Sequence, residues 1–278
     1  MSKEVMAEYK LTEVGVIPDD WDVSHLKDLV DPNRKITYGI VVPGPNIPNG
    51  VPMIRAQDYS KGWVDLEMLY RVSSRIDKAY KRSRVITNDL LLTIVGSVGN
   101  LAKVPFVFNG SNITQQTARL SFNQKVADTD FYFNILQSKF GQKEIFNYTK
   151  SGVQPSLNLS DVDKFLIPYP PLLEQRSIAS VLSDTDTLIA SLDKLIAKKR
   201  DIKQAAMQQL LTGKQRLEGF GDEWEVKQLQ DVCWYQEGPG VRNYQFTKNG
   251  IKLLNGTNIF NGIIQLDTTN RSKYRTKD

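Results

Sequence analysis

From Leu172 to Thr212 the sequence contains neither glycine nor proline, although both residues punctuate it on either side. Pro170-Pro171 stands where a helix can begin, Glu174 puts negative charge in the first turn, and Gly213 is a natural residue just past the end. The pattern predicts one helix over residues 171–213, about 40 residues and therefore roughly 60 Å long. Its stripe steps by four and three alternately, through Ile178, Leu182, Thr185, Ile189, Leu192, Ile196, Lys199, Lys203, Ala206 and Leu210, and is widened by Val181, Leu188, Leu195 and Ile202. Heptad spacing over this length fits a partner helix, from the same chain or another. The plainer alternative is an amphipathic helix lying on its own domain, but a domain of about 170 residues is hardly long enough to cover it. Ile178, Leu182, Ile189, Leu192, Ile196 and Leu210 are the expected assembly residues.

Two copies of one pattern flank this helix. Asp20-Trp21-Asp22-Val23 with Leu26-Lys27-Asp28 returns about 203 residues later as Glu223-Trp224-Glu225-Val226 with Leu229-Gln230-Asp231. Gly50-Val51-Pro52-Met53-Ile54-Arg55, with Asp58 and Gly62-Trp63-Val64, returns about 200 residues later as Gly250-Ile251-Lys252-Leu253-Leu254-Asn255, with Asn258 and Gly262-Ile263-Ile264. The same order at nearly the same offset indicates duplication. The expected organisation is a first domain over 1–170, the helix over 171–213 as a coiled-coil spacer, and the incomplete start of a second domain over 214–278. In the first domain Val51–Arg55, Arg84–Ile86, Leu90–Val95, Ala102–Phe108 and Ala118–Phe122 are short β-prone runs, Thr129–Tyr148 reads as a helix and Pro43–Gly50 as a loop. The fold class expected is α+β: a globular domain of short strands, a long helix, and the beginning of a repeat.

Several classes of function are disfavoured at once. No window approaches 18 consecutive apolar residues and Met1–Lys10 lacks the apolar stretch of a secretory signal, so a cytoplasmic chain without a membrane span is expected. Cys233 is the single cysteine and His25 the single histidine, which leaves no internal disulfide and no familiar Cys/His zinc cage. Any Ser-His-Asp or Cys-His arrangement would depend on His25, and nothing near it marks a nucleophile. Gly96-Ser97-Val98-Gly99 lacks the Gly-Lys-Ser/Thr ending of a phosphate loop and reads as a turn between strands. Tyr169-Pro170-Pro171-Leu172 lacks the leading amide or carboxylate of an amino-methyltransferase tetrapeptide, and the Glu-x-Lys triplets at Glu8/Lys10 and Glu225/Lys227 are common by chance. The chain reads as a binder.

Its charge indicates of what. The net charge is only +5, yet between Asn33 and Lys103 eleven basic residues face five acidic ones, a local +6. Tyr38, Tyr59, Trp63, Tyr70 and Tyr80 interleave with them, which suits a phosphate backbone with bases beside it; a solvated basic face is the competing reading. Lys35, Lys81, Arg82 and Arg84 are the expected backbone contacts, because they cluster in turn-like surroundings. Arg55, Gln115 and Gln116 are the expected base readers, since their side chains can make paired hydrogen bonds to guanine or adenine edges.

Asp20-Trp21, Asn88-Asp89-Leu90-Leu91-Leu92-Thr93 with Gly96-Ser97-Val98-Gly99, Gln115-Gln116, Ser151-Gly152-Val153-Gln154, and the run Ile167-Pro168-Tyr169-Pro170-Pro171-Leu172-Leu173-Glu174-Gln175-Arg176-Ser177-Ile178-Ala179 together resemble the specificity subunit of type I restriction-modification systems. Pro-Pro-Leu-x-Glu-Gln and Leu210-Leu211-Thr212-Gly213-Lys214 are the most specific parts of a resemblance that covers essentially the whole chain. It implies two target-recognition domains, each followed by a long helix, with the helices antiparallel and each domain reading half of a split site in double-stranded DNA. It also implies a non-catalytic chain within a restriction endonuclease and adenine methyltransferase complex, with no cofactor of its own. S-adenosylmethionine, ATP and Mg are expected on partner methylation and restriction subunits. The sequence departs from the pattern after Asp278, where the rest of a second domain and a second helix would follow. A fragment, an early-terminated subunit and a half-subunit acting as a homodimer through the helix are all compatible with that departure. Two rival classes are a stand-alone coiled-coil dimeric regulator, which would not need the second repeat, and a nuclease or methyltransferase acting alone.

Overall fold

The computed structural model describes residues 8–238 and then 240, 242, 244, 246–247, 251–254, 256–260, 262–264 and 273–275. Residues 1–7 of the N-terminal segment, and Gly250 and Asn255 of the second repeat block, lie outside the described residues. The chain divides into two units, 1–199 and 200–278.

The first unit begins with a hairpin of β1 (Tyr9–Thr12) and β2 (Gly15–Pro18), followed by β3 (Asp22–His25), α1 (Leu26–Leu29), β4 (Thr37–Tyr38), β5 (Val51–Ile54), β6 (Tyr70–Val72) and α2 (Ser74–Ala79). It continues with β7 (Leu90–Thr93), β8 (Leu101–Lys103), β9 (Asn112–Ile113), β10 (Thr117–Leu120), α3 (Thr129–Gln137), α4 (Lys139–Tyr148), α5 (Leu159–Val162) and β11 (Leu166–Tyr169). One sheet has the order β4-β10-β7-β8 and a second the order β6-β5-β9; β11 pairs antiparallel with β3. Strand β7 is buried along its whole length because the four-stranded sheet has a core on each face. Leu90 and Leu92 join Leu26, Phe131, Tyr132 and Phe165, whereas Leu91 points the other way into Ile54, Phe108 and Ile113. A strand covered on both faces reads as a continuous apolar run, which is why Leu90-Leu91-Leu92 shows no alternation.

Four of the expected strand runs overlap strands: β5 and β7 lie within theirs, while β8 and β10 each begin one residue earlier and end sooner. Arg84–Ile86 is not a strand; Val85 is held instead by backbone bonds with Ser111 and Gly110. Phe106–Phe108 turns out of β8 as a single helical turn after Pro105. The expected helix over Thr129–Tyr148 is two helices, because Ser138 leaves α3 with an extended backbone and caps α4 by accepting from the Gly141 N–H. Gly141 is needed there: a Cβ on it would lie 2.3 Å from the Ile135 carbonyl oxygen. Gly96 and Gly99, both at positive φ, turn the chain from β7 to β8 as the sequence indicated.

The long helix α6 (Leu172–Leu210) has 39 residues, and its start is built into the first unit. Buried Gln175 accepts the Asp128 N–H at 2.8 Å and donates to the carbonyls of Pro170 (2.8 Å) and Val126 (3.1 Å). Trp21 donates to Glu174 at 3.0 Å while its ring meets the edge of Phe131. The Pro-Pro-Leu-x-Glu-Gln run is therefore a joint, tying the helix both to the N-cap of α3 and to the strand start at Trp21.

In the second unit, local structure repeats along with sequence. Helix α7 (Leu229–Val232) follows Trp224 as α1 follows Trp21. After β12 (Phe246–Thr247), β13 (Ile251–Leu253) and a turn at Gly256–Asn258 stand where β5 and the turn at Ala56–Asp58 stand in the first copy. The remaining strands are β14 (Ile259–Phe260), β15 (Ile263–Ile264) and β16 (Lys273–Arg275), with β16 between β12 and β13. Burial repeats at the second block, where Asp58 and Asn258 are both buried, but not at the first: Leu26 and Leu29 are core residues, while Leu229 and Val232 are exposed. In the first copy β11 covers this corner, and among the described residues no strand pairs with 225–228 of the second.

Candidate nucleic-acid interface

Strand β10 carries an arginine in an otherwise apolar run, and that residue builds the basic surface from below. Arg119 is 2% exposed, and its guanidinium donates to the carbonyls of Arg82 (2.8 Å), Arg84 (3.0 Å) and Lys35 (3.0 Å). Burial, and then the neighbouring Arg34 charge, pull its pKa down to about 10, so it remains a cation at neutral pH. With Arg34, which also donates to the Arg84 carbonyl at 3.3 Å, it fastens segments 33–37 and 80–84 together, so that exposed Lys35, Lys81 and Arg82 line one open cleft of about 690 Å3 together with Asn33, Arg34 and Thr37. Arg119 is not among the contacts expected from sequence; a lone arginine inside Thr-Ala-Arg-Leu-Ser-Phe is the signal that points to it.

Not every expected contact is free. Arg84 is ion-paired with buried Asp77, which also receives Asn112 at 3.1 Å. Burial alone would raise the Asp77 pKa, but the bonds from Arg84 and Asn112 outweigh it and hold the carboxyl below its ordinary value. Arg55 is likewise engaged by Asp58, through Nε at 3.1 Å and Nη2 at 2.9 Å, while the Arg55 N–H donates to the same carboxylate at 2.8 Å. Arg34 pairs with buried Asp89 at 2.6 Å. These three pairs take three of the five acids between Asn33 and Lys103, so the local surplus of six rests on residues outside them: eight bases against Asp65 and Glu67.

From the basic cleft the chain passes over β4 into a second depression, lined by Arg55, Tyr70, Thr114, Gln115 and Gln116. The crossing is tight: a Cβ on Gly39 would lie 1.8 Å from the Ile113 carbonyl oxygen, so only glycine lets the two backbones meet. Gln116 also lines a third depression with Gln57, Ser60, Ser97 and Asn100, and Gly96 and Ser97 connect that one to a fourth beside Gln142, Phe146 and Ser151. No aspartate or glutamate lines any of the four, although the chain has 31 of them. The result is an acid-free band, cationic at one end, with amides and hydroxyls set among apolar side chains along the rest. Among the described residues no group of three His, Cys, Asp or Glu side chains could hold a metal ion, and no helix is long and apolar enough to cross a membrane.

The expected assembly residues lie on α6. Ile178 packs partly against the core of the first unit, next to buried Ala179. Leu182, Ile189, Leu192 and Ile196 are exposed at 39%, 52%, 48% and 48%, and Leu210 is half-buried. From Leu182 to Lys203 the stripe therefore has no cover within its own chain among the described residues.

Residues 18–199 match the family model described as the type I restriction modification DNA specificity domain. The type I restriction enzyme EcoBI specificity subunit of Escherichia coli is 31% identical over 202 residues, 71% of this chain and 42% of that one. A protein of Methanocaldococcus jannaschii, described as a putative type I restriction enzyme MjaX specificity subunit, is 28% identical over 277 residues, 92% of this chain and 63% of that one. The crystal structure of the HsdS subunit from Thermoanaerobacter tengcongensis shares the fold, with a TM-score of 0.54 at 19% identity over 84% of this chain and 60% of that one. The chain thus spans between about two fifths and two thirds of the length of these relatives. Since the family model covers more than half of it, the chain belongs to the type I restriction-modification DNA specificity family.

Proposed function

We propose that the domain over 1–170 reads one half of a bipartite site in double-stranded DNA, that the helix over 171–213 docks methylation subunits, and that residues 214–278 begin a second recognition domain. The observation that carries this reading is the acid-free band, with side chains of Lys35, Lys81 and Arg82 at one end and of Gln57, Asn100, Gln115 and Gln116 along it that have no partner among the described residues. A duplex needs cations for its phosphates and hydrogen-bonding side chains beside them for base edges, and the band supplies both in one strip. Arg84 and Arg55 act as positioning residues, because their charges are already engaged by Asp77 and Asp58. The chain recognises and its partners react: S-adenosylmethionine, ATP and Mg belong to the methylation and restriction subunits, and the assembly works in the cytoplasm. The exposed stripe on α6 also suits a homodimer, which would give one recognition domain two half-sites. The test is the salt dependence of duplex binding by the purified chain. Each phosphate contact contributes about 0.9 to the slope of log affinity against log salt, so replacing Lys35, Lys81 and Arg82 together by alanine should flatten it by roughly 2.7. An unchanged slope would place the DNA elsewhere.

A further inference from the structure

Five polar side chains face the third depression of the band, a space of about 240 Å3 between the turn after β5 and the start of β8. They are Gln57, Ser60, Ser97, Asn100 and Gln116, and none has a hydrogen-bond partner for its side chain among the described residues. Their backbones, in contrast, are pinned. Gln57 sits in a single helical turn locked by the Arg55–Asp58 pair and by the Val64 N–H on the Asp58 carbonyl at 3.0 Å. The Asn100 carbonyl accepts the Thr93 N–H at 2.9 Å, and the Gln116 carbonyl accepts the Ile94 N–H at 2.8 Å. Gln57 and Gln116 are exposed and Asn100 half-buried, so water serves these amides until a ligand replaces it, and because the backbones are already fixed, binding has only side chains to order.

The lining also selects among bases. It holds no arginine or lysine, the side chains that pair with the O6 and N7 acceptors of guanine, and no carboxylate to accept from the amino group of cytosine. It holds three carboxamides, which present a donor and an acceptor side by side and match the N7 and amino group of adenine. We infer that Gln57, Asn100 and Gln116 form a base-reading subsite that recognises an A·T pair from the major groove. Arg55 serves it indirectly, by fixing the turn that carries Gln57. This subsite rests on the DNA-reading function proposed above and specifies the half-site at one position.

Selection of bound duplexes from a randomised library by the purified full chain tests it. Wild-type protein should enrich a motif containing an A·T position at which Gln57→Ala, Asn100→Ala or Gln116→Ala reduces discrimination by roughly 5- to 150-fold, the range of one bidentate base contact, without altering the salt slope. Asn100→Asp and Gln116→Glu preserve size but remove the amide donor, and should move preference at that position from adenine toward cytosine. A motif identical for wild type and all five variants overturns the subsite while leaving DNA reading intact. Failure of the wild-type chain to enrich any sequence overturns both.

Discussion

Arg84 and Asp77 show how charge that looks available in a sequence can be spent inside the fold. Asp77 is 1% exposed on its side chain and Arg84 37%, so removing the arginine strands a buried carboxylate next to a partner that water already screens in part. Breaking a buried pair costs about 3–5 kcal/mol and an exposed one under about 1, which places Arg84→Met at roughly 2–3 kcal/mol. The sign with pH follows from Asp77, whose pKa is held below the ordinary 3.8 in the folded chain. Its contribution is complete above that value and is lost as pH falls through the folded pKa. Urea unfolding should therefore find wild type and variant furthest apart at neutral pH and converging below about pH 4. Equal stability at pH 7, with a flatter salt slope for the variant, would return Arg84 to the phosphate contacts. The basic character of the segment was legible from Asn33 to Lys103, but its internal pairing was only partly so. Arg55 and Asp58 are three residues apart and could be read as a pair; Arg84 reaches Asp77 across an intervening turn, and Arg119 finds its three carbonyls only once β10 lies between two distant segments.

At the scale of elements, heptad spacing was the most legible signal, because a period of three and four needs no tertiary context. The expected helix and α6 differ by one residue at the start and three at the end. The continuous apolar run of β7 was equally clear. Elsewhere local pattern gave way to partners far along the chain: β3 exists because β11 returns to it, and the serine that splits α3 from α4 looked like an ordinary helix residue. Glu174 and Gln175 were recognised as part of a motif, but their work in fastening α6 to Trp21 and Asp128 depends on contacts that spacing does not encode. The stripe beyond that joint yields a direct prediction. Leu192 is 48% exposed in the single chain and lies at mid-seam, so Leu192→Asp should leave the thermal unfolding of the first unit unchanged. In a paired seam the same aspartate costs several kcal/mol, and self-association or capture of a methylation subunit should fail. Normal assembly by the variant, measured by sedimentation and co-purification, would show that the seam is elsewhere.

For the whole molecule, the repeat of α1 by α7 and of β5 by β13 means that one pattern of local structure is laid down twice, once with its covering strand and once without it among the described residues. Two copies of the 1–170 domain joined through α6 would be related by a two-fold axis, and identical readers so arranged favour an interrupted palindrome with the helix pair setting the gap. Two unlike domains favour two unlike half-sites. Both arrangements share the claim that this chain, and not its partners, chooses the sequence. Mapping methylated positions in DNA from cells that carry the methylation subunit with and without this chain tests that claim most directly. The account predicts a split motif that is methylated only when the chain is present, whereas the same methylation pattern in both would contradict it.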